Sequence, residues 1–158
     1  METAARTPAV IDTSALINFL RIDQVRLLSV HPAYSFFVTD HVRGAAFQAG
    51  HLTETAVDTV EEFRTFAKLT ALKRFGLGEC AAIAAAFCRN WAIAMDDSNA
   101  TKLVNRLFPG VRIETTPSIM VALIRVRVLT VAQADGFRNE WATYHRFRLP
   151  FTSFIEVL

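Results

Sequence analysis

Acidic side chains follow short apolar runs at two widely separated places in the sequence. Asp12 ends the first of these runs. Asp96 and Asp97 end the run that begins at Trp91, and Glu79 opens an alanine-rich segment just before it. Because the carboxyl ends of parallel strands lie along one edge of a sheet, we expect these carboxylates to converge there if the runs are strands.

Convergence of like charges has an energetic cost that something must offset. Two carboxylates about 4 Å apart repel by roughly 4 kcal/mol at an effective dielectric of 20. A hard divalent cation offsets this repulsion well, and Mg²⁺ takes one or two carboxylates directly while it keeps several waters. Raised pKa values or solvation at the surface are the alternatives.

Each acid also has a structural role open to it. Asp97 is a suitable N-cap for a helix over residues 98–107. Glu79 in a first helical turn is favoured by the helix dipole, and Asp12 before two hydroxyl residues is typical of a turn. A functional interpretation therefore depends on all of these acids sharing one edge.

The elements that would position the acids follow from hydrophobic periodicity. Strands are predicted at 8–12, 35–39, 91–95 and 111–114, and helices at 15–21 (with Ser14 as N-cap), 40–48, 53–72, 79–89, 98–107, 117–128 and 130–147, before a docking tail at 151–158. Short strands that each feed a helix are typical of an α/β domain with a mostly parallel central sheet.

Composition limits the class of protein. The chain has 158 residues, of which 52% are hydrophobic, and a net charge of +2, so we expect a single domain over 1–158 and no disorder. No apolar stretch reaches the roughly 18 residues of a membrane span, and the start of the chain lacks a signal-peptide pattern. Two cysteines, Cys80 and Cys88, are too few for a disulfide scaffold, which favours a reducing cytoplasm.

Charge is distributed unevenly along the chain. Residues 1–100 hold 11 acidic and 9 basic side chains, whereas residues 101–158 hold 4 acidic and 8 basic ones. Arginine outnumbers lysine 14 to 3, and guanidinium groups suit phosphate oxygens. This distribution fits a polyanionic substrate and also fits ordinary solvated helix faces.

Three segments together resemble the PIN-domain family over roughly residues 9–125. They are Val10–Ile17 (VIDTSALI), Leu77–Ala84 (LGECAAIA) and Ala94–Ala100 (AMDDSNA). The resemblance implies a PIN-like three-layer α/β/α fold. It also implies a metal-dependent endoribonuclease, of the type found among VapC toxins of toxin–antitoxin systems.

The resemblance also implies the roles of particular residues. Asp12, Glu79 and Asp97 would be the catalytic acids that bind Mg²⁺ or Mn²⁺. Asp96 would be a further ligand or an acceptor that supports the ligands. Asn99 falls where some members carry another acid, and its amide oxygen could also bind a metal.

Further candidates lie beside these motifs. The hydroxyl groups of Thr13 and Ser14 could position a phosphate or a water molecule. Arg43, Lys102 and Arg106 are candidates for contact with the RNA backbone.

One departure from the family pattern concerns the helix expected after the second strand. The slot that usually holds an acid is occupied by Gly44 or Ala45, neither of which can bind a metal. Asp40 lies one turn earlier and could substitute, or could simply cap that helix. Two alternatives to an active nuclease therefore stay open: a module of the same fold that binds RNA or protein without turnover, and, less favoured, a phosphorelay receiver.

The apolar content also predicts a partner, either an antitoxin protein or a second copy of the chain. The candidate surfaces lie on the last two helices: Val121, Leu123, Ile124, Val126, Val128, Phe137, Trp141, Tyr144 and Phe147.

Overall fold

The computed structural model describes residues 5–40 and 51–158. The strands are β1 (Thr7–Ile11), β2 (Tyr34–Thr39), β3 (Thr53–Thr55), β4 (Ala92–Ala94) and β5 (Ile113–Glu114). They pair in the order β3-β2-β1-β4-β5, and every pair is parallel. The central strands β1 and β4 place Ile11 beside Ala94, so both end at the same edge of the sheet.

The described helices lie between β1 and β2, between β3 and β4, between β4 and β5 and after β5, and they cover both faces of the sheet. They are α1 (Thr13–Arg21), α2 (Arg26–Ser29), α3 (Val60–Ala71), α4 (Leu77–Arg89), α5 (Ser98–Leu107), α6 (Thr116–Arg125) and α7 (Val131–Tyr144), with a 3₁₀ helix at Phe154–Val157.

Alternation along the strands divides the apolar residues between two cores. Ala9 and Ile11 pack with α1, α2, α6 and α7, whereas Val10 between them packs with α3, α4 and α5. Successive side chains of a strand point to opposite faces, which explains the division. The result is a three-layer α/β/α fold with a parallel central sheet, as the sequence predicts.

The segment after residue 50 differs from its prediction. Residues 53–55 form the edge strand β3, although the sequence predicts a helix over 53–72. Thr53–Thr55 is a polar triplet on the sheet edge, so it lacks the apolar alternation that marks a strand. The helix begins instead at Val60, behind a capping box between Thr59 and Glu62.

The start of α1 also differs from its prediction. The N-cap of α1 is Asp12, whose side chain accepts a hydrogen bond from the backbone of Ser14, so the prediction of Ser14 as N-cap is wrong. The helix predicted over 40–48 lies, apart from Asp40, outside the described residues.

Arg89 at the end of α4 holds the β3–α3 connection in place. Its Nε donates to Oε1 of Glu62 at 2.7 Å, and its Nη2 donates to the carbonyl oxygen of Ala56 at 2.5 Å. Glu62 is only 1% exposed, and the hydrogen bond from Arg89 lowers its pKa to about 2. Because a buried carboxylate without a partner is costly, this pair ties α3 to α4.

One side of the last two helices and of the tail packs against the core. Phe154 in the 3₁₀ helix is fully buried, in agreement with the predicted docking of residues 151–158. Among the apolar candidates for a partner surface, Leu123, Ile124 and Trp141 are buried and therefore unsuitable. Val126, Val128 and Tyr144 are exposed, and of these only Tyr144 exceeds half of its possible exposure.

Within the described ranges, no helix combines the length and apolarity that crossing a membrane requires.

His31 is buried directly before β2, in surroundings that favour the neutral imidazole. The backbone N–H groups of Ala33 and Tyr34 donate to its Nδ1 at 3.2 and 3.1 Å. Burial lowers the pKa of His31 from 6.5 to about 4, while the nearby Glu114 opposes the shift. Protonation of Nδ1 would remove the acceptor of both hydrogen bonds.

We therefore expect the free energy of unfolding to fall as the pH is lowered from 6.5 to 4. Over this range the unfolded chain binds a proton at His31 that the folded chain does not, which costs up to about 3 kcal/mol. Urea unfolding at several pH values measures this effect. His31→Asn is the control, because an Asn oxygen can accept the same two hydrogen bonds and does not titrate. An equally steep decline in the Asn variant would contradict the assignment.

Candidate functional site

Asp12 lies at the carboxyl end of β1 and is only 1% exposed. Its Oδ2 accepts hydrogen bonds from the backbone N–H of Ser14 at 3.0 Å and from the Ser14 hydroxyl at 2.7 Å. Its Oδ1 is buried and has no hydrogen-bond partner among the described residues. One carboxylate oxygen is thus held rigidly while the other is left without a donor.

Ser14 connects the ends of the two central strands. Its hydroxyl oxygen donates to Asp12 and accepts from the backbone N–H of Asp96, which follows β4, at 3.0 Å. The backbone N–H of Asp12 also donates to the carbonyl oxygen of Ala94 at 2.8 Å. These bonds bring the two acid-bearing strand ends together.

Asp96 uses both of its carboxylate oxygens within the fold. Oδ1 accepts from the backbone N–H of Thr116 at 2.8 Å, and Oδ2 accepts from the Asn18 amide at 2.9 Å and from the Thr116 hydroxyl. Burial raises the pKa of Asp96, these hydrogen bonds oppose the increase, and the charge of Asp12 adds to it. Asp96 therefore joins β4 to α1 and α6.

Glu79 and Asp97 occupy helix N-termini at this edge, and each keeps a capping role. Oε2 of Glu79 accepts from the backbone N–H of Gly76 at 2.8 Å, at the start of α4. Oδ1 of Asp97 accepts from the backbone N–H of Ala100 at 2.7 Å, at the start of α5. Glu79 is half-buried and Asp97 is exposed, so these two acids lie closer to solvent than Asp12.

The acids interact electrostatically across the edge. Burial raises the pKa of Glu79, the hydrogen bond from Gly76 opposes the increase, and the negative charges of Asp12 and Asp97 add to it. Even so, among residues 5–40 and 51–158 no three His, Cys, Asp or Glu side chains stand ready as a metal-binding group. The edge gathers negative charge without forming a closed cluster of ligands.

The remaining predicted site residues lie at varied positions. Thr13 is exposed at the first position of α1, and Asn99 is exposed on α5. Asp40 follows β2 at the same edge, half-buried, and its backbone N–H donates to the carbonyl oxygen of Thr55 at 3.2 Å. The predictions for Arg43 and for the slot at Gly44–Ala45 lie outside the described residues.

A basic cleft lies along α5. Arg74, Asn99, Lys102 and Arg106 line it together with Leu103, around a volume of about 510 Å³. Asn99, Lys102 and Arg106 share one face of α5, the helix that Asp97 caps. No described acid pairs with the three cations that line this cleft. The cleft therefore places positive charge along the helix whose N-terminus carries Asp97.

Three residues of this region are not predicted from the sequence. Asn18 stands four residues after Ser14, so helical spacing could have identified it as a neighbour of the site. Thr116 is far away in sequence, and only the fold brings it to Asp96. Thr39, the last residue of β2, is 1% exposed, and its hydroxyl has no partner within the described ranges.

Comparison with known proteins adds no assignment: no protein-family model matches the chain, and the search of curated proteins found no match.

The two neighbouring acids after β4 should differ in their contribution to stability. We expect Asp96→Ala to lower the free energy of unfolding by about 3 kcal/mol, because donors of Thr116 and Asn18 would be left buried without an acceptor. Asp97→Ala should cost about 1 kcal/mol, the usual effect of losing an N-cap. Urea unfolding of both variants measures the difference. Equal losses would contradict the structural role assigned to Asp96.

Proposed function

We propose that the protein is a metal-dependent endoribonuclease of the PIN type, similar to the VapC toxins. One observation carries the proposal: Asp12 is buried at the carboxyl edge of a parallel sheet with one carboxylate oxygen lacking a donor. The charges of Asp12 and Asp97 both reach Glu79. The motif resemblance around these three acids supports the same activity.

The donor set suits a hard divalent cation such as Mg²⁺ or Mn²⁺. A buried carboxylate oxygen without a hydrogen-bond donor is energetically costly. A bound cation lowers that cost. Asp12, Glu79 and Asp97 would hold the ion, and Asn99 would lie at the rim. When bound, the ion supplies an activated water and neutralises charge that develops on the phosphate.

Other residues of the chain position the carboxylates that would hold the ion. The Ser14 hydroxyl fixes the orientation of the Asp12 carboxylate through a 2.7 Å hydrogen bond. Both carboxylate oxygens of Asp96 accept hydrogen bonds, from Thr116 and Asn18, and these bonds hold Asp96 next to Ser14. We therefore assign Asp96 as a positioning residue rather than as a metal ligand.

The proposed substrate is RNA, bound through its phosphate backbone. Arg74, Lys102 and Arg106 present three positive charges in the cleft along α5, the helix that Asp97 caps. From position 99 to position 106 a helix advances about 10 Å, enough to contact more than one phosphate of a single strand. The described residues lining the cleft include no aromatic side chain for base stacking, which favours recognition of phosphates over recognition of bases.

The alternatives have less support. The described strands run in the order β3-β2-β1-β4-β5, whereas receiver domains have the order 2-1-3-4-5. A binding module without turnover is favoured by one observation, the glycine and alanine at positions 44 and 45. A toxin role would be supported by a short upstream gene that encodes a DNA-binding antitoxin.

The first test is cleavage of RNA in the presence of Mn²⁺. We expect Asp12→Asn to reduce the cleavage rate at least a hundredfold, because an amide carries no negative charge to bind the ion or balance its charge. Asp23→Asn is the matched control: it removes the same charge at an exposed turn, where the positive φ of 54° suits Asn. Undiminished cleavage by the Asp12 variant would contradict the proposal. RNA binding without any cleavage by the unaltered protein would favour the binding module.

The second test concerns the basic cleft and is carried out with EDTA, so that no cleavage occurs. We expect the charge reversal Lys102→Glu with Arg106→Glu to weaken binding of a labelled single-stranded RNA at least tenfold at about 0.1 M salt. Arg64→Glu with Lys68→Glu changes the net charge equally on the exposed face of α3 and should have a much smaller effect. Equal losses in both double variants would show that binding depends on net charge alone.

A further inference from the structure

Thr39 stands beside Asp12 at the edge of the sheet. In the pairing of β1 with β2, Thr7 lies opposite Tyr34 and Val10 lies opposite Phe37. Two residues further along this register, Asp12 comes opposite Thr39. Both residues are only 1% exposed.

The two side chains point to the same face of the sheet. Ile11 and Val38 belong to the core that contains α1 and α6. Because alternate residues of extended backbone point to opposite faces, Asp12 and Thr39 face the other core. Asp12 keeps the extended conformation this requires, with φ −79° and ψ 157°. That face is covered by α4, the helix whose first turn contains Glu79.

Both side chains carry an unsatisfied oxygen. Oδ1 of Asp12 and Oγ1 of Thr39 are buried, and neither has a hydrogen-bond partner within the described parts of the chain. An unsatisfied buried polar group costs about 1–3 kcal/mol, so two of them on neighbouring strands are expensive unless one bound group satisfies both. The two oxygens do not bond each other, so each is left to be satisfied by something other than its neighbour.

We propose that the Thr39 hydroxyl oxygen is a further ligand of the divalent cation held by Asp12 Oδ1. The inference rests on the proposed metal site and adds a residue to it. A hydroxyl is a hard oxygen ligand without charge, so it completes the coordination of a hard cation without adding to the repulsion among the acids. Asp12 and Thr39 then form the buried floor of the site, and Glu79 and Asp97 form its more exposed rim.

The test compares Thr39→Val, Thr39→Ala and Thr39→Ser with the unaltered protein. Calorimetric titration with MnCl₂ measures affinity, and urea unfolding in EDTA measures the stability of the metal-free fold. Without metal, Thr39→Val should be as stable as the unaltered protein or more stable, because an unsatisfied buried hydroxyl is replaced by a methyl group. Its affinity for Mn²⁺ should nevertheless fall tenfold or more, and Thr39→Ser should retain most of the affinity.

The opposite directions of these two effects separate a ligand from a structural residue. Unchanged Mn²⁺ affinity in Thr39→Val, or in Thr39→Ala if the valine variant does not fold, would overturn the role of Thr39 and leave the nuclease proposal intact. A loss of metal-free stability with unchanged affinity would do the same. Failure of the unaltered protein to bind Mn²⁺ would overturn both proposals.

Discussion

The arrangement of the site depends on one hydroxyl group, that of Ser14. It donates to the Asp12 carboxylate after β1 and accepts from the backbone N–H of Asp96 after β4. This short polar side chain thereby joins two acids that lie 84 residues apart in the chain, at strand ends that the pairing of Ile11 with Ala94 already brings together. Asp96 then extends the connection to α6 through Thr116.

This network also determines how negative charge is distributed. Asp96 accepts hydrogen bonds on both oxygens, whereas Asp12 keeps one oxygen without a donor. The pKa values of Asp96 and Glu79 are raised by burial and then by neighbouring carboxylates, which means that folding brings these charges together at a cost. Proteins retain such costs mainly where function requires them, and a bound cation would relieve this one.

The sequence predicts the helices and strands better than it predicts the different roles of the acidic residues. The bounds of α5 agree with the prediction over 98–107, because an Asp cap and helical periodicity are both local signals. The strand β3 is missed, since a Thr-Glu-Thr triplet at an edge carries no apolar pattern. The saturation of Asp96 and the position of Thr39 beside Asp12 depend on pairing between distant segments, which no local pattern encodes.

Metal binding by Asp12 is tested most directly by anomalous scattering from crystals soaked in MnCl₂. We expect a manganese peak at the shared carboxyl edge of β1, β2 and β4, within bonding distance of Asp12 Oδ1. Binding there should also reorient Glu79 or Asp97 toward the ion. A peak located elsewhere on the molecule, or an edge that stays empty at saturating Mn²⁺, would show that these carboxylates do not form a metal site.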